Sequence, residues 1–199
     1  AVFRFVRCSL DAQTGVVRLV YAFDESPELI ETVTIPGAPF VLEGARANAV
    51  EQALRLLHLI ARVSYYKAAV PPEIRIESYA IDADAAALLT LIYENGLGEF
   101  AYRNGLDLHG RVVFPRSASA AAPAGAAGLR QHALVAIGGG KDSLVSIEAL
   151  RSAAVEQTVT WIGNSQLIAA CAARTFAAAV ASIVGSRFRI RPRIMGTDA

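Results

Sequence analysis

Six consecutive residues combine a flexible backbone with a cation, a carboxylate and a hydroxyl. They are Gly138, Gly139, Gly140, Lys141, Asp142 and Ser143. A glycine backbone adopts positive φ and approaches a ligand closely, and successive N–H groups at the start of a helix form an anion-binding concavity. The lysine ammonium and the serine hydroxyl add donors for the same anion. These residue types therefore predict a phosphate-binding loop.

The flanking sequence predicts a strand before this loop and a helix after it. The run ALVAI is short and apolar, whereas DSLVSIEALRSA has the spacing of an amphipathic helix. A second strand, QTVTWIG, and a second helix, SQLIAACAAR, follow. This βαβα order is typical of a parallel sheet covered by helices. Two strands do not complete such a sheet, so we expect the start of an α/β domain that is incomplete within this chain.

Asn164 comes directly after the second strand, at the end where open α/β sheets bind ligands. We therefore predict that Asn164 lines the same pocket as the glycines. The alternative is that Asn164, together with Ser165, caps the following helix.

The spacing of the loop distinguishes it from two common phosphate loops. A Walker A loop requires glycine where Val135 stands, and Ser or Thr where Asp142 stands. A dinucleotide-binding loop requires a third glycine at the position of Ser143. The stretch is instead similar to the PP-loop of ATP pyrophosphatases, Ser-Gly-Gly-x-Asp-Ser, with Gly138 in place of the leading serine. The alternative is a glycine-rich turn that binds no ligand.

Residues 1–115 predict a compact α+β unit. VFRFVRCSLDAQTGVVRLVYAFD predicts a β-hairpin that turns at 11–15, and ELIETVTIP predicts a third strand ending at Pro36. EIRIESY and RVVFP predict two further strands. DADAAALLTLIYENG predicts a helix that Asp82 caps and Gly96 ends.

A longer amphipathic helix is predicted over RANAVEQALRLLHLIARVSYYKAA. Its polar stripe consists of Glu51, Arg55, His58 and Arg62. We expect His58 on this stripe to face solvent. Tyr65, Tyr66 and Lys67 near the helix end could line a substrate pocket, although a solvated helix end is the favoured interpretation.

Shifts in composition divide the chain into four segments. Residues 1–115 form the N-terminal domain, and 116–130, rich in alanine, glycine and proline, form a linker. Residues 131–175 form the partial ATP-binding domain. Residues 176–199 form a basic tail, in which arginines alternate with apolar residues and proline. We expect this tail to integrate poorly with the sheet, because core strands of parallel sheets are apolar and lack proline; a basic phosphate-binding strand is the alternative.

Composition and charge limit the classes of function. The chain of 199 residues is 54% hydrophobic and carries a formal net charge of +1. This balance gives no general attraction to nucleic acid or to anionic membranes. Cys8 and Cys171 form no metal-binding spacing and no disulfide framework, which favours a reducing cytosol. The apolar stretch at 167–185 contains Arg174 and much alanine, so we expect a buried or interfacial helix and not a membrane span.

Four stretches together resemble the MurL family of UDP-N-acetylmuramoyl-L-alanyl-L-glutamate epimerases, over about residues 1–175. They are FVRCSLDAQTGVVRLVYAFDESPELIETV, SYYKAAVPPEI, LVAIGGGKDSLVSIEALR and TVTWIGNSQLIAACAART. The resemblance implies an enzyme that uses ATP and magnesium to invert the terminal L-glutamate of a nucleotide-linked muramyl dipeptide in peptidoglycan synthesis. It places the ATP phosphates on 138–143. It identifies no base for the α-proton. The resemblance weakens after Thr175, so an incomplete enzyme is a further expectation.

The chemistry implied by the resemblance has a physical reason. A glutamyl α-proton is hard to remove beside an ionised carboxylate, and adenylation of that carboxylate removes the charge. Loop amides, Lys141 and magnesium would stabilise the charge that develops on pyrophosphate. Asp142 is a candidate magnesium ligand, or alternatively the N-cap of the helix.

Two other functions remain open from the sequence. One is another PP-loop ATP pyrophosphatase, either RNA-modifying or amide-forming; the near-neutral charge and the lack of a cysteine cluster disfavour RNA modification. The other is an inactive ATP-binding remnant. His109 and His132 are candidate bases, but surface histidines are the favoured interpretation, and we expect Trp161 in the core.

Overall fold

The computed structural model describes residues 1–118 and 128–175, together with the backbone of a strand at 179–185. The strands are β1 (Val2–Asp11), β2 (Val16–Phe23), β3 (Leu29–Thr34), β4 (Glu73–Ile76), β5 (Ala133–Ala136), β6 (Gln157–Ile162) and β7 (Ala179–Gly185). The helices are α1 (Gly44–Ala61), α2 (Val63–Ala69), α3 (Ala83–Gly96), α4 (Gly98–Arg103), α5 (Lys141–Ser152) and α6 (Gln166–Ala173).

The strands join in one mixed sheet with the order β4-β1-β2-β3-β7-β6-β5. β1, β2 and β3 form an antiparallel meander, and β4 adds parallel to β1. β5, β6 and β7 are parallel to one another, and β7 pairs antiparallel with the end of β3. The predicted α/β class, hairpin and βαβα order are therefore confirmed. The sheet is mixed as a whole, with a small parallel part at one side.

The prediction for the tail is wrong at 179–185. Those residues form β7, which lies between β3 and β6 and connects the two parts of the sheet. The sequence AVASIVG has the apolar, β-branched character of a central strand, and the arginines that suggested poor packing begin only after it. The rest of the predicted tail, and positions 119–127 of the predicted linker, lie outside the described residues.

The larger core lies between the meander and helices α1 to α4. It is rich in aromatic residues: the rings of Phe3 and Phe5 meet edge to face with centroids 4.9 Å apart, and Tyr66 and Tyr93 do so at 5.5 Å. Val112 and Phe114 are buried in this core. The predicted strand at 111–115 is wrong, because these residues pack as an irregular segment without a strand partner.

The smaller core lies between β5 and β6 and the two helices that follow them. Val135 and Ile137 of one strand and Val159 of the other pack against Ile147 and Ala172 of the helices. Trp161 is partly buried against the same cluster, as predicted. α5 and α6 thus cover the same face of the parallel strands.

No helix in the described ranges is long and apolar enough to cross a membrane. The apolar stretch at 167–185 is divided between α6, which ends at Ala173, and β7. Neither element has the length of about 20 apolar residues that a membrane-spanning helix requires.

The orientation of α1 differs from the prediction. His58 of the predicted polar stripe is fully buried, whereas Leu57, which lies outside that stripe, is 40% exposed. Nε2 of His58 lies 3.0 Å from the carbonyl oxygen of Val20, and Nδ1 lies 2.8 Å from the hydroxyl of Tyr79. Because both ring nitrogens have partners inside the protein, this histidine is stable in the core and not in solvent.

Burial of His58 predicts a stability that depends on pH. Burial lowers the pKa of His58 from 6.5 to about 4. The unfolded chain therefore binds a proton between those values that the folded chain does not, and stability is fully present above pH 6.5 and falls as the pH decreases to 4. We expect a loss of roughly 3 kcal/mol across this range, measured by urea unfolding.

The His58→Gln variant is the control for this pH dependence. Glutamine cannot take up the proton, so the difference in unfolding free energy between wild type and variant should shrink as the pH falls from 6.5 to 4. A difference that does not change with pH would show that other groups cause the acid sensitivity.

The hairpin turn depends on Gly15. Its φ is +72°, and a Cβ at this position would lie 2.3 Å from the carbonyl oxygen of Ile35. We expect Gly15→Ala to destabilise the fold by about 2 kcal/mol or more, because both strain and a backbone clash result. Gly96→Ala is the matched control, since Gly96 ends a helix with no heavy atom within 4 Å of its Cβ position. Thermal unfolding of both variants measures the difference; equal effects would contradict the steric argument.

Candidate glycine-loop site

The glycine loop connects β5 to α5 at the carboxyl edge of the parallel strands. The N–H of Ile137 donates to the carbonyl oxygen of Thr160 at 2.8 Å, which holds the start of the loop against β6. The glycines that follow are exposed. Gly139 has φ +83°, and no heavy atom lies within 4 Å of the Cβ positions of Gly138 and Gly140. The loop therefore presents open backbone at its surface.

The start of α5 corrects the role of one residue of the predicted anion site. The helix begins at Lys141, and its N-cap is Gly140, which makes no side-chain cap. Asp142 lies in the first turn, so the interpretation of Asp142 as the N-cap is wrong. The hydroxyl of Ser143 donates to the carbonyl oxygen of Gly140 at 2.8 Å. In this conformation Ser143 orders the turn. The first N–H groups of α5 and the ammonium of Lys141 make the N-terminus of the helix positive.

The loop after β6 lies beside the glycine loop. Ser165 caps α6, since its side chain accepts a hydrogen bond from the N–H of Ile168 at 3.4 Å. A Cβ on Gly139 would lie 3.7 Å from Cγ1 of Ile168, so the first turn of α6 borders the glycines. Asn164 is exposed at this edge, and its predicted contact with ATP stays a prediction.

Gly163 is a feature of this edge that the motif analysis missed. Its φ of +106° turns the chain at the end of β6. A glycine directly after an apolar strand was the signal that could have identified this turn.

The residues present suit magnesium held mainly by phosphate. Within ranges 1–118 and 128–175, no group of three or more His, Cys, Asp and Glu side chains could hold a metal ion. Asp142 therefore offers a single exposed carboxylate beside the glycines. Mg²⁺ keeps several waters and is commonly bound by one or two carboxylates plus substrate phosphates. Asp142 fits that arrangement.

The other predicted site residues lie elsewhere. Tyr65 and Tyr66 are buried in the large core, so the interpretation of these two tyrosines as pocket residues is wrong. Lys67 is exposed in the last turn of α2, so the favoured interpretation, a helix end with a solvated lysine, is confirmed. The ammonium of Lys67 lies 5.4 Å from the ring centroid of Phe100. His132 precedes β5, at the opposite end of the strand from the glycines, and contacts Glu156 and Thr158.

His109 borders a separate pocket of about 380 Å³ formed by α3, α4 and residues 106–109. Its side chain is exposed, and Nδ1 lies 3.5 Å from Glu94. Burial raises the pKa of Cys8 to about 11, so this thiol is protonated and a poor nucleophile.

Comparison with known proteins identifies the family. The MurL N-terminal domain model matches residues 1–185. The chain belongs to the MurL N-terminal domain family. The match continues through β7, ten residues beyond the stretch on which the sequence resemblance was recognised.

Curated relatives of this MurL domain carry one name, UDP-N-acetyl-alpha-D-muramoyl-L-alanyl-L-glutamate epimerase. A protein of Xanthomonas oryzae pv. oryzae is 73% identical over 173 residues, which is 87% of this chain and 38% of the relative. A protein of a Micromonospora species is 36% identical over 84% of this chain and 38% of the relative. A protein of Salinispora tropica is 38% identical over 75% of this chain and 33% of the relative. The chain thus spans about two fifths of the length of the relatives or less, and no solved structure matches it.

Proposed function

We propose that this chain supplies the ATP-phosphate loop of an epimerase that inverts the terminal L-glutamate of UDP-N-acetylmuramoyl-L-alanyl-L-glutamate during peptidoglycan synthesis. The observation that carries the proposal is an open glycine loop, at the N-terminus of α5, in a chain 73% identical to a relative named for this activity. The substrate is then a small UDP-linked muramyl dipeptide. A location in the cytoplasm stays a prediction.

The loop residues have separate roles in this proposal. The exposed backbone at 138–140 and the first N–H groups of α5 bind phosphate oxygens. Lys141, exposed in the first turn, neutralises charge that develops during transfer. Asp142 positions magnesium, and Ser143 holds the turn closed through Gly140. ATP would supply activation of the glutamate carboxylate, with release of pyrophosphate.

The positive φ of Gly139 and the empty space around its neighbours support this assignment over a ligand-free turn. Of the three glycines only Gly139 has a positive φ, so a turn without a ligand would require one glycine and not three exposed ones. A bound phosphate and the Asp142 carboxylate repel each other, and a divalent cation between Asp142 and the phosphates removes that repulsion. The charges of the loop therefore favour a magnesium-bound nucleotide.

A chimera tests the proposed function. The matching residues of the Xanthomonas oryzae relative are replaced by those of this chain, and the product is incubated with the UDP-linked dipeptide, ATP and magnesium in D₂O. We expect inversion at glutamate with deuterium at Cα, since epimerisation exchanges that proton, together with pyrophosphate release. A folded chimera that binds ATP but leaves glutamate unchanged would contradict the epimerase role. The assignment of the nucleotide site would still stand.

Asp142→Ala is expected to lower ATP-dependent pyrophosphate release by the chimera by at least about a hundredfold, because the magnesium ligand is lost. Stability should change by no more than about 1 kcal/mol, the usual contribution of an acid in the first turn of a helix. Asp84→Ala is the control, as Asp84 occupies the first turn of α3. If the Asp142→Ala variant releases pyrophosphate as fast as the unchanged chimera, this carboxylate binds no essential metal.

A further inference from the structure

Among the residues that the structure describes, no helix packs on one face of strands β5 and β6, whereas α5 and α6 cover the other face. We call the first of these faces the open face and define it by Leu134 and Ala136 of β5 and Thr158, Thr160 and Ile162 of β6. The residues that alternate with these five along the same strands contact α5 and α6 in the smaller core. None of the five belongs to that core. Leu134 is 67% exposed and Ile162 is 76% exposed, at the two ends of the face, while Thr160 between them is buried.

The register shows that the open face continues the helix-covered face of the meander. Val33 of β3 packs against the large core and is paired with position 185 of β7. Position 183, two residues along the same strand, is paired with Ile162. Directly paired positions share a face, and positions two apart share it too. Ile162 therefore lies on the side of α1 to α4, and α5 and α6 lie on the opposite side.

The open face differs in chemistry from the face of the meander that points away from the large core. Arg4 lies between Phe3 and Phe5, so it occupies the face of the meander away from the core, where it forms an ion pair with Glu77 at 2.6 Å. That face combines charged side chains with the buried Val20 and Ala22. The open face instead presents leucine, alanine and isoleucine together with two threonines, and it carries no charged side chain at these five positions. Parallel sheets occur almost always with both faces covered, so an apolar parallel face requires a covering element.

The dimensions of the open face suit one helix from the same polypeptide. Two neighbouring strands are about 4.8 Å apart, and a helix with its side chains is about 10 Å wide, so a single helix covers both strands. Two large exposed apolar residues are far fewer than the roughly 20 to 30 residues per side of a stable complex. A tethered segment does not need such an area, because its effective concentration is high.

The longer relatives provide such a segment. The match covers 38% of the Xanthomonas oryzae relative, so most of that protein lies outside it. We propose that the open face docks an amphipathic helix from the region that MurL relatives carry outside the matched segment, with its apolar stripe on Leu134, Ala136 and Ile162. This interface completes the sheet that carries the glycine loop. It depends on family membership and not on the proposed reaction.

Thiol protection tests this interface. Ile162→Cys and Leu134→Cys are introduced separately into this chain and into the chimera with the Xanthomonas oryzae relative. Val145→Cys is the control, because Val145 is 66% exposed on α5, on the opposite side of the sheet. Labelling with N-ethylmaleimide is followed at each cysteine by peptide mass spectrometry, and thermal unfolding checks that each variant is folded.

We expect cysteines at 162 and 134 to react at least about tenfold more slowly in the chimera than in this chain, and the control at 145 to react equally in both. Equal rates at 162 and 134 would overturn the proposal. Protection that appears in this chain alone as its concentration rises would identify a second copy as the occupant and overturn the assignment. Protection of 145 as well would show that the effect is not specific to this face.

Discussion

Arg62→Met is expected to lower the free energy of unfolding by about 3–5 kcal/mol, measured by urea denaturation. The guanidinium of Arg62 forms an ion pair with the carboxylate of Glu31, which is 1% exposed, and the hydroxyl of Tyr65 donates to the same carboxylate. Removal of the arginine takes this ion pair away from a buried negative charge. Such a charge is more costly than the pair was favourable, because the desolvation of the carboxylate is no longer offset.

The Glu31→Leu/Arg62→Met double variant separates this explanation from a loss of packing. If the uncompensated charge causes the loss, the double variant should be more stable than Arg62→Met alone, since leucine removes the charge and stays apolar. A double variant that is less stable than the single variant would show that Arg62 acts through its packing at the junction of α1 and α2. Arg55→Met is a control within α1, because Arg55 pairs with the exposed Glu51 and should contribute less.

Gly139→Val is expected to weaken ATP binding by the chimera at least about a hundredfold. Pyrophosphate release by the chimera should fall by a similar factor. The φ of +83° is strained for any residue with a Cβ and most for a β-branched one. Under the proposed function, a loop that relaxes to negative φ would no longer direct its N–H groups toward one phosphate. The loss should therefore appear in binding measured by calorimetry with Mg·ATP.

Gly105→Val is the matched control for that substitution. Gly105 follows α4 with φ +62° and has no heavy atom within 4 Å of its Cβ position. The variant experiences the same backbone strain away from the glycine loop. We expect it to lose stability but to bind Mg·ATP normally. Equal losses of binding in both variants would mean that general destabilisation, and not the loop, explains the result.

Local sequence was sufficient to predict the elements that depend on neighbouring residues. Asp82 caps α3 by accepting from the N–H of Ala85 at 2.8 Å, and Gly96 ends that helix, as its sequence indicated. The hairpin and the position of the glycine loop between strand and helix also followed from periodicity and turn residues. These features are determined by interactions within a few residues, so they can be recognised without knowledge of the fold.

Tertiary structure decided which side of α1 is buried. A polar stripe that includes His58 and Arg62 predicts a solvent-facing surface when each side chain is considered alone. Val20 and Tyr79 provide partners for the imidazole, and Glu31 provides one for the guanidinium. Those partners are 21 to 38 residues away in sequence, so the pattern of one helix could not reveal them. Long-range hydrogen bonding here outweighs the local polarity of the stripe.

Sequence by itself determined the family and the glycine loop of this protein, because both depend on residue identities at fixed spacing. Only the tertiary structure placed β7 between β3 and β6 and put α1 to α4 on the opposite side of the sheet from α5 and α6. The physical reason is that strand pairing joins backbone groups far apart in the chain, and the face of each residue is then fixed by register. No local pattern contains that register.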